Sequence, residues 1–583
     1  MKRKSKMKSS KRQTLFDPDN IAAAIHQALT RDFTEAQHVY CFGGRSTLYA
    51  FNRQVKDFRK KYLSPRTDQA PLEALTFEKF LKVNDHMANV NKKLATSLPT
   101  SVRRIQRAMP RDEKIHLRAR ALMHSVLSSF SVDEWFEECK HSTGSTLGVS
   151  YSDTSNESKF TFPMSTTKRA KPYMDAYMLF DGNLKSAVEE FNRENPVMDM
   201  YEFVEGSRAT TVDKNEDIRR MIAVEPTCNM FLQQGLMSMM YKRMKSFGLN
   251  VETLPDLHQK LAKESSTSGI NATIDWSSAS DCGSRLLYEW LLPPVWFSVC
   301  DKMRCPDTFI QGEKVHLNMF STMGNAVTFP LETLVFWTYA HATLLTDRPS
   351  NTMFPEWEDL KYCSVFGDDC IVPSNIARKY IEVMEDVGFI INDDKSYYGT
   401  EQFRESCGGD FLHGYDVRPF CLKAPHSTKQ SSLEPWLYII ANSLIPKYIS
   451  YFGENSYMYD KELFRTLARL FSDAKFQLKL VPDDFPDDAG LKMSYDIERF
   501  HRHYPMKLSR VSRSMHGTYS FKYLRFVYNN RKSNDERLRL MLWLKTPYQS
   551  RRPPIHTRPI RKRGGYVVAK GISCHWHVPV VRP

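Results

Sequence analysis

The segment Cys363-Ser-Val-Phe-Gly-Asp-Asp-Cys-Ile-Val372 constrains this chain more than any other ten residues. Apolar β-formers stand on both sides of Gly367-Asp368, a turn-forming pair, so the segment predicts a tight β-hairpin with carboxylates at its tip. Asp368 and Asp369 repel one another when ionised, and the arrangement is favourable mainly where a cation sits between them. An ordinary acidic surface turn would show the same local pattern.

Two further elements lie upstream. Ala272-Thr-Ile-Asp275-Trp-Ser-Ser-Ala-Ser-Asp281 puts one carboxylate at the end of a short apolar strand and another six residues on. The apolar run from Leu286 to Leu292 then predicts a helix, which either Asp could simply cap. Phe320-Ser321-Thr-Met-Gly324-Asn325-Ala-Val-Thr328 leads into Phe329 to Ala340, which predicts a buried helix. A Gly-containing loop can approach a sugar or base closely, and its hydroxyl and amide groups can read polar edges.

The chain has 583 residues, too many for one compact core, so two or more subdomains are expected. Hydrophobic residues at 41% exclude a disordered or collagen-like chain. No apolar run of about 18 residues predicts a membrane span, and no apolar stretch near Met1 predicts a secretory signal. Eleven scattered cysteines without a CxxC pair predict reduced thiols, not a disulfide framework or zinc finger. Cys574-His575-Trp576-His577 lacks the second pair that a zinc site needs. The net charge of +15 resides in the tails: seven Lys/Arg fall in the first twelve residues and eight between Arg551 and Pro583, without an acid. Such arms can neutralise phosphates, or simply be solvated.

Along the chain, residues 74–109 predict a helix from the spacing of Leu75, Phe77, Phe80, Leu81, Val83 and Met87. A polar stretch from His141 to Ser158 predicts a loop, and short β-rich runs alternate with helical ones from Thr273 to Asp394. After about Ser431 the pattern is mostly helical. Arg499 to Lys532 holds nine Lys/Arg and no acid among aromatics such as Tyr519, Phe521, Tyr523 and Phe526. That composition suits a nucleic-acid groove, or a core whose solvated face is basic.

Asp-x5-Asp, Ser-x-x-Gly-x3-Thr and Gly-Asp-Asp follow one another within 95 residues, an order that resembles motifs A, B and C of RNA-dependent RNA polymerase palms. Gly388-Phe-Ile-Ile-Asn392-Asp-Asp-Lys395 resembles motif D, and Phe403-Arg-Glu-Ser-Cys-Gly408 resembles motif E. Lys214-Asn-Glu-Asp-Ile-Arg-Arg220 resembles the basic motif F. Ser-x-Met-Gly-Asn-x-x-Thr-Phe-x-Leu-Glu, Leu-Leu-Pro-Pro-x-Trp-Phe and Phe-Arg-Glu-Ser-Cys-Gly are similar to the replicase β subunit, the RNA-directed RNA polymerase, of the levivirus RNA bacteriophages, from roughly Phe58 to Phe420.

That resemblance implies an α+β right-hand polymerase. A basic N-terminal tail and lead-in would occupy 1–40 and fingers 41–265. A palm with an antiparallel sheet would occupy 266–425, a mostly helical thumb 426–550 and a basic C-terminal tail 551–583. It implies that Asp275, Asp368 and Asp369 hold two Mg²⁺ ions, with Mn²⁺ able to substitute. Lys214 and Arg220 would clamp the triphosphate, and Lys395 would give a proton to the pyrophosphate. Asp281, Ser321, Gly324 and Asn325 would receive the nucleotide. Template and product RNA, NTPs, host translation elongation factors Tu and Ts and a host RNA-binding ribosomal protein are the implied partners, in the cytoplasm of an infected bacterium and away from membranes. Three residues depart from the common pattern. Phe366 stands where Tyr is commoner, Glu332 where many viral polymerases have Asn, and Asp217 where a second motif-F Lys is expected. A reverse transcriptase would need a bulky residue against the 2′-hydroxyl. A non-catalytic RNA-packaging protein would leave the converging carboxylates costly and unexplained.

Overall fold

The computed structural model describes residues 17–573, apart from 39–43, 100–108, 150–158, 347–361, 454–459, 493–506, 515–517, 529–563 and positions 143, 161, 195, 197, 198, 426 and 475. Residues 1–16 and the Cys574–His577 cluster lie outside the described residues.

The framing helices are α1 (Pro18–His38), α2 (Gly44–Asp57), α3 (Ala70–Ser97), α4 (Arg111–Leu127), α5 (Thr227–Lys245), α6 (Leu254–Ser268), α7 (Arg285–Leu291), α8 (Thr328–Thr346), α9 (Ser374–Asp386), α10 (Gln430–Phe452) and α11 (Glu462–Asp473). The strands that matter for the site are β1 (Ser207–Asp213), β2 (Arg219–Val224), β3 (Asn271–Ile274), β4 (Ser364–Phe366), β5 (Asp369–Pro373), β6 (Phe403–Ser406) and β7 (Gly409–Leu412). Two long strands, β8 (Tyr519–Tyr528) and β9 (Gly564–Ser573), follow near the C-terminus.

Helix α3 forms where the sequence places apolar residues three and four apart: Phe77, Phe80, Val83, Met87, Val90 and Leu94 are buried on one face. Polar residues of the same face clasp the neighbouring loops. Asn84 accepts from Asn318 N–H at 2.8 Å, and Asn91 accepts from the Ser284 hydroxyl at 2.6 Å. Helix α8 is apolar all round and buried almost throughout, so it runs through the main core. Its Thr333, Thr338 and Thr343 hydroxyls donate to carbonyls of its own helix, which satisfies them without water.

In front of α8 lies an antiparallel sheet of order β3-β5-β4. Ile274 faces Cys370 and Thr273 faces Ile371, while Asp369 faces Phe366 across the β4–β5 hairpin. The strands β6 and β7 make a second hairpin, and β1 pairs antiparallel with β2 in a four-stranded sheet.

A second core has an origin that sequence reading did not anticipate. It joins α1 and α2 at the start of the chain to α10, α11 and β8 near its end. Asp32 of α1 shows why the two ends meet. Its buried carboxylate accepts from the N–H groups of Glu462 and Leu463 in the first turn of α11, at 2.8 and 2.9 Å, and from the Tyr448 hydroxyl at 2.8 Å. It serves as the cap that α11 lacks locally.

The lead-in assigned to 1–40 is therefore largely a core helix. Among the described residues after 426, α10 and α11 are followed by strands rather than further helices, and β8 pairs with β9 over ten residues. Residues 564–573 are thus a strand rather than part of a loose tail. Along β8, Tyr519 and Phe521 are buried while Ser520, Lys522 and Arg525 are exposed. From Tyr519 to Lys522 alternation at period two sends the aromatics inward and Ser520 and Lys522 outward, and Arg525 is exposed beyond buried Leu524, so at these positions the stretch is a core with a basic face. The described cysteines are free thiols, and no described helix is long and apolar enough to cross a membrane.

Candidate active site

The β4–β5 hairpin turns through Gly367-Asp368. Gly367 takes a φ of +61°, the left-handed value that a two-residue turn places at its first position. A Cβ there would meet the Phe329 ring at 2.7 Å, so glycine is needed for space as well as for conformation. Helix α8 grips the turn from behind: Thr333 accepts from Gly367 N–H at 3.0 Å, and Phe329 packs edge-on against Phe366, ring centroids 5.0 Å apart. The Phe366 ring therefore packs.

Asp275 follows Ile274, the last paired residue of β3, and so emerges at the same end of the sheet as Asp368 and Asp369. Three groups fix it. Its N–H donates to the Ser396 hydroxyl at 3.1 Å, Asn392 donates to its Oδ2, and Lys395 Nζ lies 3.8 Å from the same oxygen. Burial raises its pKa and nearby Asp368 raises it further, against the pull of Lys395. Burial also pushes Asp369 up to about 7, with Asp368 and Asp275 adding to the effect. Lys395 is shifted upward as well. Burial opposes its charge, but Asp275, Glu405, Asp368 and Asp369 outweigh that and raise its pKa.

One cavity gathers Asp275, Asp281 and Asp368 against Lys79, Lys214, Arg220 and Lys395. Arg219 and Arg220 of β2 both border this cavity; Arg219 is buried and spent on Asp213 at 2.7 Å, whereas Arg220 is exposed and has no such pair among the described ion pairs. Burial, then the crowding of Lys79, Arg220 and Lys395, lowers the pKa of Lys214. Four cations held together in this way are poised for a polyanion.

Asp281 sits in a short 3-10 turn, Ala279–Asp281, and does not cap α7; Ser284 does, accepting from Leu287 N–H. Its carboxyl is pushed up to about 7 by burial, with a backbone hydrogen bond from Met323 opposing. Its Oδ1 is buried with no hydrogen-bond partner, although the residue lines the cavity. Behind it Glu332 is buried on α8, its pKa driven well up by burial and then by Asp368, Asp281 and Asp275.

The Ser321–Asn325 loop is placed differently from its expected role. Met323 lines the cavity, whereas Ser321, Gly324 and Asn325 do not. Ser321 is buried. Asn325 is tied to buried Glu225 and accepts from Val327 N–H at 3.0 Å. Gly324, at φ +115°, lets the loop lie on β2: a Cβ there would meet the Ala223 carbonyl oxygen at 2.1 Å. Ala223 N–H donates to Met323 O at 2.8 Å, which locks the loop to the strand that carries Arg220.

Lys79 and Asn392 were not singled out from the sequence as site residues. Lys79 has a readable signal, since Thr76, Lys79, Phe80 and Val83 fall on one face of α3, and all four line the cavity.

Among the described residues no three His, Cys, Asp or Glu groups are gathered closely enough to hold an ion unaided. The residues nonetheless fit Mg²⁺, which keeps its waters and binds through one or two carboxylates together with substrate phosphates. Asp275 and Asp368 are such a pair, crowded enough to raise the Asp275 pKa.

The α+β frame thus brings crowded carboxylates up to a wall of cations. The model of the RNA replicase beta-chain family matches residues 20–539. This chain belongs to that family. It is 32% identical to the RNA-directed RNA polymerase beta chain of Enterobacteria phage fr, over 65% of each chain. It is 33% identical to the corresponding chain of Escherichia phage MS2, over 65% of this chain and 63% of that one. The RNA-directed RNA polymerase subunit beta of Enterobacteria phage SP is 26% identical over 87% and 86%. The chain thus spans just under two thirds of the length of the fr and MS2 relatives. The solved BmCPV RNA-dependent RNA polymerase at elongation state aligns with 66% of this chain and 36% of that chain, at 10% identity and a TM-score of 0.32, too slight a likeness to carry an argument.

Proposed function

We propose that this chain is an RNA-directed RNA polymerase that replicates a positive-strand phage RNA, joining NTPs to the 3′-hydroxyl of the growing strand. The observation that carries the reading is the cavity itself, where Asp275 and Asp368 face Lys79, Lys214, Arg220 and Lys395. In this reading the site forms the palm of a right hand, 266–425, with fingers over 41–265 and a thumb over 426–550. The thumb closes on a core shared with α1 and α2.

Asp275 and Asp368, with Asp369 assisting, would hold two Mg²⁺, or Mn²⁺ in their place, which would supply charge neutralisation on the triphosphate and a more acidic 3′-hydroxyl. The side chains do the rest. Lys214 and Arg220 bind and orient the triphosphate, with Arg220 able to grip two oxygens at once, and Lys79 adds a third cation. Lys395, whose pKa is raised by its carboxylate neighbours, keeps a proton to give to the departing pyrophosphate. Asp281 offers its unpartnered Oδ1 to the ribose 2′-hydroxyl. Ser321, Gly324 and Asn325 act by shaping the loop that sets Met323 and Asp281 at the sugar. Base pairing reads the template, so the protein needs only backbone and 2′-hydroxyl contacts to RNA.

The relatives are named as beta chains and beta subunits, which supports assembly with further subunits. Host elongation factors Tu and Ts and an RNA-binding ribosomal protein, in the cytoplasm of an infected bacterium, are the partners we propose.

The decisive experiment is nucleotide incorporation by Asp368→Asn, which removes a charge but keeps the shape. Activity should fall by a factor of about 10³ or more, with the folding transition unchanged. Near-normal synthesis in Mg²⁺ would refute the assignment.

A further inference from the structure

A buried chain of hydrogen bonds runs beneath the hairpin and joins four elements. Ser364, on β4, meets His258 Nε2 at 2.9 Å; His258, on α6, meets Ser406 at 2.9 Å through Nδ1; and Ser406, at the end of β6, donates to Asp369 Oδ1 at 3.4 Å. His258 is fully buried, and burial lowers its pKa to about 4, so the ring is neutral, with one donor and one acceptor. The hydroxyl of Ser406 is spent on Asp369, hence Ser406 must accept from Nδ1–H, and Nε2 must accept from Ser364. Each link then points the same way, toward the carboxylate, and such chains polarise cooperatively.

The turn that follows Ser406 is gripped too. Cys407 and Gly408, at φ +44° and +78°, form a two-residue turn with both central positions left-handed, between the paired residues Ser406 and Gly409. That unusual geometry for a cysteine turns its backbone N–H toward Asp369. Gln259, next to His258 on α6, donates to Cys407 O at 3.0 Å. Helix α6 thus holds both Ser406 and Cys407, the two groups that orient Asp369, and at 3.4 Å the Ser406 contact is the loosest link.

We propose that His258 is a positioning residue: by bridging Ser364 and Ser406 it locks the Asp369 carboxylate in one orientation and so sets the affinity of the site for its divalent cation. This rests on the polymerase reading, in which Asp369 assists in holding the cation. A carboxylate fixed before the ion arrives loses no rotamer freedom on binding. Removing a hydrogen-bond partner of a metal-holding side chain typically costs 10–100-fold in affinity. His258 acts one bond further away, so a smaller effect is expected.

The test compares His258→Phe, His258→Asn, Ser406→Ala and the double variant His258→Phe/Ser406→Ala. Mn²⁺ affinity is read by electron paramagnetic resonance of the free ion, and Mg²⁺ dependence by incorporation. His258→Phe should weaken Mn²⁺ binding and raise the half-saturating Mg²⁺ concentration about three- to ten-fold, leaving the KM for NTP unmoved. Ser406→Ala should do the same, and the double variant no more than either. His258→Asn, whose amide can stand in for Nδ1–H, should recover most of the loss. Unchanged Mn²⁺ affinity in His258→Phe, or losses that add in the double variant, would overturn the proposal. If His258→Phe does not fold, His258→Asn and Ser406→Ala decide it: Ser406→Ala must weaken Mn²⁺ binding and His258→Asn must not. Asp368→Asn separates the two levels. If it leaves incorporation intact, the polymerase reading fails; if it abolishes incorporation while His258→Phe moves nothing, only the positioning role fails.

Discussion

At the scale of single residues, the proposed sugar contact of Asp281 rests on its buried, unpartnered Oδ1. A buried acceptor without a donor costs about 1–3 kcal/mol, and a ribose 2′-hydroxyl would remove that cost. Asp281→Ala should therefore cut NTP use at least about ten-fold more than dNTP use in steady-state incorporation. Equal losses for the two sugars would assign Asp281 to the turn alone. Glu225 is a carboxyl of a different kind. It is fully buried among Cys305, Gln233 and Asn325, and burial pushes its pKa up from 4.5 to about 7. The folded state therefore holds a proton that the unfolded chain releases earlier. The stabilisation is complete below about pH 4.5 and is lost as pH rises through 7. Glu225→Gln should flatten that loss, by at most about 3 kcal/mol, in denaturant melts compared at pH 5 and pH 8.

Among the elements, helix α8 carries the hairpin. Thr333→Val keeps the shape but leaves Gly367 N–H buried without an acceptor, which should lower stability by about 1–3 kcal/mol and reduce incorporation. Thr333→Ser should restore both, and a Thr333→Val protein indistinguishable from the original would discount the contact. The hairpin itself was legible because Gly367-Asp368 interrupts a β-forming run, and α3 was legible because its apolar residues repeat at helical spacing. The strand β8 was hidden by composition. Its Lys and Arg suggested a groove, although the alternation of Tyr519, Phe521 and Tyr523 with polar residues carries the period of a half-buried strand. Asn325 was legible as a polar residue in a Gly loop, but its partner Glu225 lies 100 positions away, beyond the reach of any local pattern. The face of α3 that carries Lys79 was legible, but not what it faces, because Asp275 and Asp368 lie 196 and 289 positions further on.

Over the whole molecule, the cavity of Asp275 and Asp368 sits in one core and the two ends of the described chain build the other. Asp32 ties that second core together, so Asp32→Ala should strip acceptors from two helix-end N–H groups and from Tyr448. A loss of about 2–3 kcal/mol is expected, read as faster amide exchange across 462–473. Exchange there at the original rate would argue that Asp32 is not the cap of that helix. The separation between Asp32 and its partners also sets a timetable for synthesis. At roughly 5–20 residues per second, the 430 residues between Asp32 and Glu462 keep α1 waiting about 20–90 s after it leaves the ribosome. Throughout that interval Ile21, Ile25 and Leu29, all fully buried in the finished protein, face water or a chaperone. The central core can meanwhile close on its own contacts. Translation thus completes the core around Asp275 and Asp368 first, and α1 is among the last pieces to be set.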